Sequence, residues 1–228
     1  MKLSEAMKVV LHYRQVPMTA PQIAYFLCSN KIILTDQYNE LIQHVEEEAL
    51  YSPAHFTVSE DFIQLSPWDE RERQLIQKVF LVIQTAVNLT KVNNHESHLA
   101  HNQVLALLLY KRLSDIKRSQ QHGTPIVPPQ LKFNYVLATT LPADLPSKLH
   151  GVMEYIECTD ERLDGIFSIC RQELINVCEE YKVVQIYRAM GELSVLLLDE
   201  DNLPTPLFQV IFSRLFTINV KQTSKMLN

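Results

Sequence analysis

Gly123, Gly151, Gly165 and Gly191 are the only glycines in a chain of 228 residues. Glycine takes positive φ without steric cost, and tight hairpins and phosphate-cradling loops draw on it heavily. So sparse a supply disfavours a β-rich fold with many close turns. No P-loop, no G-x-G-x-x-G and no G-x-S-x-G motif occurs. The chain is 46% hydrophobic and 21% charged, a globular balance with enough apolar material for a sizeable core. Its periodicities are those of helices, so the expected class is mainly α: an N-terminal winged helix-turn-helix followed by an all-helical domain.

Residues 1–66 form the first expected domain. Ser4 is a candidate N-cap for a helix through Tyr13, which Pro17 ends. Thr19-Ala20-Pro21-Gln22 has the spacing of a capping box, in which the Thr hydroxyl and Gln side chain satisfy each other's orphan amides. The helix it opens should run to about Ser29. Thr35 is placed to cap a third helix, where Tyr38, Leu41, Ile42, Val45 and Ala49 make one buried stripe. Ala54–Val58 and Asp61–Leu65 then read as two short strands joined at Ser59-Glu60. Three helices and a terminal hairpin are the order of a winged helix. Such folds place a recognition helix in the major groove. Here the third helix holds Asp36, Glu40, Glu46, Glu47 and Glu48 with no lysine or arginine, and residues 1–66 carry four basic against eight acidic residues, a net of −4. Phosphate would repel that face, so protein docking is the better expectation for it than base readout.

Residues 67–228 form the second domain, a helical one. Ser66-Pro67-Trp68-Asp69 is read as its start, with Ser66 as N-cap and Pro67 in the first helical position. A long helix to about Val92 keeps Leu75, Ile76, Val79, Phe80, Ile83 and Val87 on its inner face. A second spans about His95 to Ser119, and the proline-marked stretch 120–130 is a loop. Further helices are expected at 131–139, 147–156, 161–180 (broken near Gly165), 183–198 and after Pro204-Thr205-Pro206. The longest apolar runs, such as Val104–Tyr110, are far short of a membrane span, and no secretory signal opens the chain. The expectation is therefore a cytoplasmic protein without membrane contact.

Cys28, Cys158, Cys170 and Cys178 show neither C-x-x-C pairing nor zinc spacing, which points to reduced, buried thiols. His95, His98 and His101 lie at i, i+3 and i+6, where helical rotation turns the outer two away from a shared face, so a solvated helix start is preferred to a metal site. Neither a metal nor a cofactor is expected, and no catalytic residue is assigned. Basic residues cluster once, at Lys111, Arg112, Lys117 and Arg118. They read either as complements to a helix C-terminus or as a phosphate-contacting patch, and they are the candidate DNA contacts.

The segment from Gln103 through Val104-Leu105-Ala106-Leu107-Leu108-Leu109 to Tyr110-Lys111-Arg112-Leu113-Ser114-Asp115 resembles a helix in the N-terminal region of type I restriction-modification methyltransferase subunits. There an apolar run ends in an aromatic or leucine, a basic residue, a leucine or isoleucine, and Ser-Asp. The proline-marked Ile126-Val127-Pro128-Pro129, the following Phe133 and Tyr135, the segment with Gly151, Glu154 and Ile156, Leu163-Asp164-Gly165-Ile166-Phe167 and the late 207–216 helix extend the likeness over residues 67–216. Residues 1–66 resemble a HARE-type winged helix. The resemblance implies an all-helical region that packs against a specificity subunit and DNA.

In that family an S-adenosylmethionine domain follows, with a glycine-bearing cofactor loop and an Asn-Pro-Pro-Tyr/Phe motif that holds a flipped adenine. This sequence contains neither motif. The functional expectation is a non-catalytic accessory module of a restriction-modification or defence-type DNA system. It would dock a methyltransferase, specificity or defence-system subunit, with DNA as a further contact through the basic patch. The alternatives are a fragment or split half of an N6-adenine DNA methyltransferase, and a helical regulatory scaffold unrelated to DNA.

Overall fold

The computed structural model describes residues 2–35, 37–91, 97–116, 127–159, 163–167 and 180–226. The fold is mainly helical with one small three-stranded sheet. The chain divides into two compact units, Met1–Lys78 and Val79–Asn228. That division falls inside a helix, twelve residues beyond the Ser66-Pro67 start expected for the second domain.

The first unit runs α1 (Leu3–Arg14), β1 (Met18–Thr19), α2 (Ala20–Ser29), α3 (Tyr38–Tyr51), β2 (Phe56–Ser59) and β3 (Phe62–Leu65). The capping box opens α2 as its spacing implies: Thr19 N–H donates to Gln22 Oε1 at 2.9 Å and Gln22 N–H to Thr19 Oγ1 at 3.5 Å. Ser4 and Thr35 do not cap helices. Ser4 lies inside the first turn of α1, whose N-cap is Lys2, and the Thr35 hydroxyl accepts the amide of Gln37, the N-cap of α3. The hairpin forms with Phe56 opposite Leu65 and Ser59 opposite Phe62, leaving Glu60 and Asp61 as its loop. A third strand was not expected. Met18 and Thr19 pair antiparallel with Ile63 and Phe62, so β3 is central in the order β1-β3-β2.

One face of each helix fills the core of this unit. Met7, Val10 and Leu11 of α1 meet Ile23, Ala24 and Leu27 of α2, Leu41, Val45 and Ala49 of α3, and Phe56 and Ile63 of the sheet. Their i, i+3, i+4 spacing along each helix is what makes the cluster continuous.

Ser66 does not cap the next helix. Its buried hydroxyl donates to the Pro53 carbonyl at 3.2 Å and lies 3.3 Å from Thr57 Oγ1. The helix, α4 (Glu70–Thr90), starts three residues later than expected at a reciprocal box: Asp69 N–H donates to Glu72 Oε2 at 3.0 Å, and Glu72 N–H to Asp69 Oδ1 at 2.9 Å.

The second unit continues with α5 (Ser97–Asp115), α6 (Phe133–Thr139), α7 (Leu145–Thr159), α8 (Glu180–Ser194) and α9 (Thr205–Met226). Short 3-10 turns at Pro129–Leu131 and Pro142–Asp144 flank α6. Among the described residues this unit has no strand. From Ala100 to Ser114 α5 is buried except at the half-buried Gln103 and Leu109, as befits a helix packed on nearly every side. It packs against α9 and α8, and α6 packs against α8. The expected helix over 161–180 falls largely outside the described residues; 163–167 form a turn with Gly165 at φ 69°. Residues 195–198 leave α8 and run into the connection to α9.

Candidate functional site

The structure takes Lys111 and Arg112 out of any surface patch. They stand on the last turn of α5, yet Lys111 is 1% exposed and Arg112 4%. Both cations face fixed internal partners. Lys111 Nζ donates to Asp115 Oδ2 at 2.5 Å and lies 5.9 Å from the centroid of the Phe133 ring. The Arg112 guanidinium donates to the Leu198 carbonyl, to the Leu203 carbonyl at 2.6 Å, to Glu200 Oε2 at 2.5 Å and to Thr205 Oγ1 at 2.9 Å. It also lies 5.1 Å from the Phe208 ring. A buried cation is tolerable only with such a full set of acceptors. Neither side chain can therefore serve as a phosphate contact in this arrangement. Lys117 and Arg118 lie outside the described residues.

Every polar member of Tyr110-Lys111-Arg112-Leu113-Ser114-Asp115 ties α5 down or pins another stretch of chain. Tyr110 Oη donates to the Leu131 carbonyl at 2.5 Å, and Ser114 Oγ accepts the Phe133 amide at 3.1 Å. Burial pushes the Tyr110 phenol well above its ordinary pKa, so it stays a donor. Asp115 Oδ2 accepts the Leu198 amide at 2.9 Å. The first group holds the start of α6, and the second holds the 198–205 connection. Within that connection Glu200 caps α9, accepting the Thr205 amide at 2.8 Å and its hydroxyl at 2.7 Å. Those two bonds, then Arg112, hold its carboxyl below the usual range. The signal for this burial was in the sequence: the cations follow directly on seven apolar residues, and a helix apolar all round leaves no solvent side for them.

The second unit also holds an apolar cleft of about 180 Å³. Asn102, Leu105, Ala106 and Leu109 of α5 line it with Ile166 and with Phe212 and Phe216 of α9. Asn102 is its one polar side chain, so the cleft can take up an apolar group but offers no acid, base or nucleophile. Sequence reasoning did not find it, because its walls come from three segments far apart in the chain.

Among the described residues no group of three His, Cys, Asp or Glu side chains is placed to hold a metal ion. His101 is buried, which corrects the expectation of a solvated position for it; His95 lies outside the described residues. Cys158 is exposed and Cys28 half-buried, contrary to the expected buried thiols, while Cys170 and Cys178 lie outside the described residues. No helix among the described residues is long and apolar enough to cross a membrane.

On the first unit, α3 presents Glu40, Glu46 and Glu47 to solvent. Glu48 is half-buried and accepts the Ser52 hydroxyl at 2.8 Å. No family model matches the sequence, and comparison with curated proteins and with solved structures gave no match.

Proposed function

We propose that this protein is a non-catalytic interaction module of a restriction-modification or defence-type DNA system, built from a winged helix and a helical domain, that acts by docking a protein partner. The winged-helix reading is supported by the order α1-β1-α2-α3-β2-β3 and by an antiparallel sheet with the last strand central. The observation that carries the docking role is the chemistry of α3. In a winged helix this is the position of the recognition helix, and here it exposes glutamates and holds no lysine or arginine. A polyanion gains nothing from such a face, whereas a protein with a cationic surface does.

The sequence likeness of α5 to type I methyltransferase subunits points to the partner class: a methyltransferase, specificity or defence-system subunit. DNA is a further contact through Lys117 and Arg118, now without Lys111 and Arg112. Co-expression with the methyltransferase and specificity subunits of a type I system from the same genome, followed by size-exclusion chromatography with light scattering, tests the reading. A stoichiometric complex is expected. The reading fails if no complex forms, or if the chain alone binds S-adenosylmethionine or methylates duplex DNA.

A further inference from the structure

The apolar cleft between α5 and α9 comes from a mismatch of side-chain size where the two helices pack. Asn102, Leu105, Ala106 and Leu109 stand at i, i+3, i+4 and i+7 on one face of α5, and in the middle of that face Ala106 offers only a methyl group. On α9, Phe208, Phe212 and Phe216 recur every fourth residue and form an aromatic stripe. Its first two rings are engaged with each other. Phe208 is buried beside the Arg112 guanidinium, which lies 5.1 Å from its centroid, and it stacks on Phe212 with centroids 5.8 Å apart and an interplanar angle of 28°. Phe216 continues the stripe along the cleft. It is 46% exposed and has no ring partner among the described residues.

We infer that this cleft is a binding site for a small, neutral, planar aromatic compound of one or two fused rings. The inference goes beyond the docking role and does not depend on it. Size sets the first limit. An apolar cavity of about 150 Å³ lined by Leu, Ile and Phe stays dry and takes up benzene, whereas drug-sized ligands occupy about 300–1,000 Å³. At about 180 Å³ the cleft has room for a ring or a fused pair and excludes nucleotides and long acyl chains. Charge sets the second limit. Among the described residues no Asp, Glu, Lys, Arg or His lines the cleft, so an ionised ligand would lose its water without gaining a counter-charge. Shape sets the third. A flat ring between the Ala106 methyl and the Phe212 and Phe216 rings extends the Phe208–Phe212 stack by one member, in the offset or edge-on contacts that aromatic pairs favour. A flexible chain of the same size makes no such contact and gives up more internal freedom on binding.

The test is saturation-transfer NMR on the full chain with indole, hexanol and N-acetyltryptophanamide as separate probes. Saturable indole binding with a dissociation constant of about 1 mM or tighter is expected, with the other two at least about tenfold weaker. Ala106→Leu fills the cleft and Phe216→Ala removes its outer ring, and each should weaken indole binding at least about fivefold. Tyr135→Ala, exposed elsewhere in the same unit, should leave it within about twofold. Far-UV circular dichroism checks folding, and Phe216→Ala, at an exposed position, keeps the test open if Ala106→Leu does not fold. The inference is overturned by absence of saturation up to about 10 mM indole. Hexanol binding as tightly as indole overturns it too, as does indole binding that both variants leave unchanged. Equal binding of N-acetyltryptophanamide, which carries the same ring on a peptide backbone, would also overturn it and assign the cleft to an aromatic side chain of a partner. None of these readouts involves a methyltransferase or specificity subunit, so a failure here leaves the docking reading standing, and failure of the subunit complex leaves this site standing.

Discussion

Lys111 Nζ and Asp115 Oδ2 stand 2.5 Å apart, one helical turn from each other, with the lysine all but sealed from solvent. The same carboxylate oxygen accepts the Leu198 amide, so the pair both neutralises a buried cation and anchors a loop more than eighty residues away in sequence. The two halves of the pair are unequal in what their loss would leave behind.

Asp115→Asn keeps an acceptor for Leu198 but strips Lys111 of its counter-charge. An uncompensated buried charge costs about 3–5 kcal/mol. Lys111→Met together with Asp115→Asn removes the charge from both sides and keeps the hydrocarbon stem against Phe133, so the double variant should be more stable than Asp115→Asn alone. Urea denaturation of the three proteins reads this directly. A double variant no better than the single one would mean that Lys111 is not left uncompensated when Asp115 loses its charge.

Arg112 organises the connection between α8 and α9, and its substitution should show there first. Arg112→Ala leaves the Leu198 and Leu203 carbonyls without this donor, and each orphaned buried acceptor is expected to cost about 1–3 kcal/mol. Arg112→Lys should rescue little, because an ammonium cannot reproduce a planar fork that reaches four acceptors. Glu200→Gln, at a side chain 60% exposed, should cost no more than about 1 kcal/mol. Hydrogen exchange at the Leu198 and Leu203 amides should speed up in Arg112→Ala before the protection of α7 changes. Uniform loss of protection would argue against a local role.

The helices whose apolar stripes are regular are legible from the residues alone. In α3 the Leu41, Val45, Ala49 spacing marks the buried face, and Thr19 with Gln22 marks the start of α2. What escapes such a reading are features set by contacts distant in sequence. β1 is two residues long and exists because Ile63 and Phe62 lie beside it. Ser66 has the right local pattern for a cap, but Pro53 and Thr57 claim its hydroxyl, and Asp69 takes the role. The burial of Lys111 and Arg112 is signalled by the apolar run before them, but their acceptors are not, since Leu198 and Leu203 arrive from a later segment. The cleft beside Ala106 is hidden for the same reason.

Two groups set the expected acid sensitivity, in different windows. His55 has its pKa lowered, chiefly by burial and then by Lys8 and Arg73, against the opposing Glu70 and Glu48. Its folded pKa lies below the ordinary 6.5, so its contribution is full above that value and is lost as pH falls through the folded pKa. Glu200, lowered from 4.5 by Thr205 and then Arg112, contributes above the ordinary carboxylate pKa and loses that contribution at lower pH still. Its exposure keeps the effect small. Urea midpoints followed from about pH 8 to about pH 3 should fall in two stages. His55→Gln should flatten the upper stage and Glu200→Gln the lower. If neither substitution changes the profile, other groups control it.

Glu60 carries a φ of 54° at the first position of the two-residue β2–β3 loop, a left-handed conformation that a residue with a Cβ adopts at a cost of about 1–2 kcal/mol. Glycine adopts it freely, but its extra freedom in the unfolded chain takes back about 0.4–1 kcal/mol. The difference favours Glu60→Gly by roughly 0.5–1 kcal/mol. Glu60→Ala is the control, because it removes the same charge next to Asp61 and keeps the Cβ. Thermal and urea unfolding of both variants should separate the causes. Stabilisation by glycine alone identifies backbone strain at the hairpin tip. Equal stabilisation by alanine would place the gain in relief of the Glu60–Asp61 charge repulsion instead.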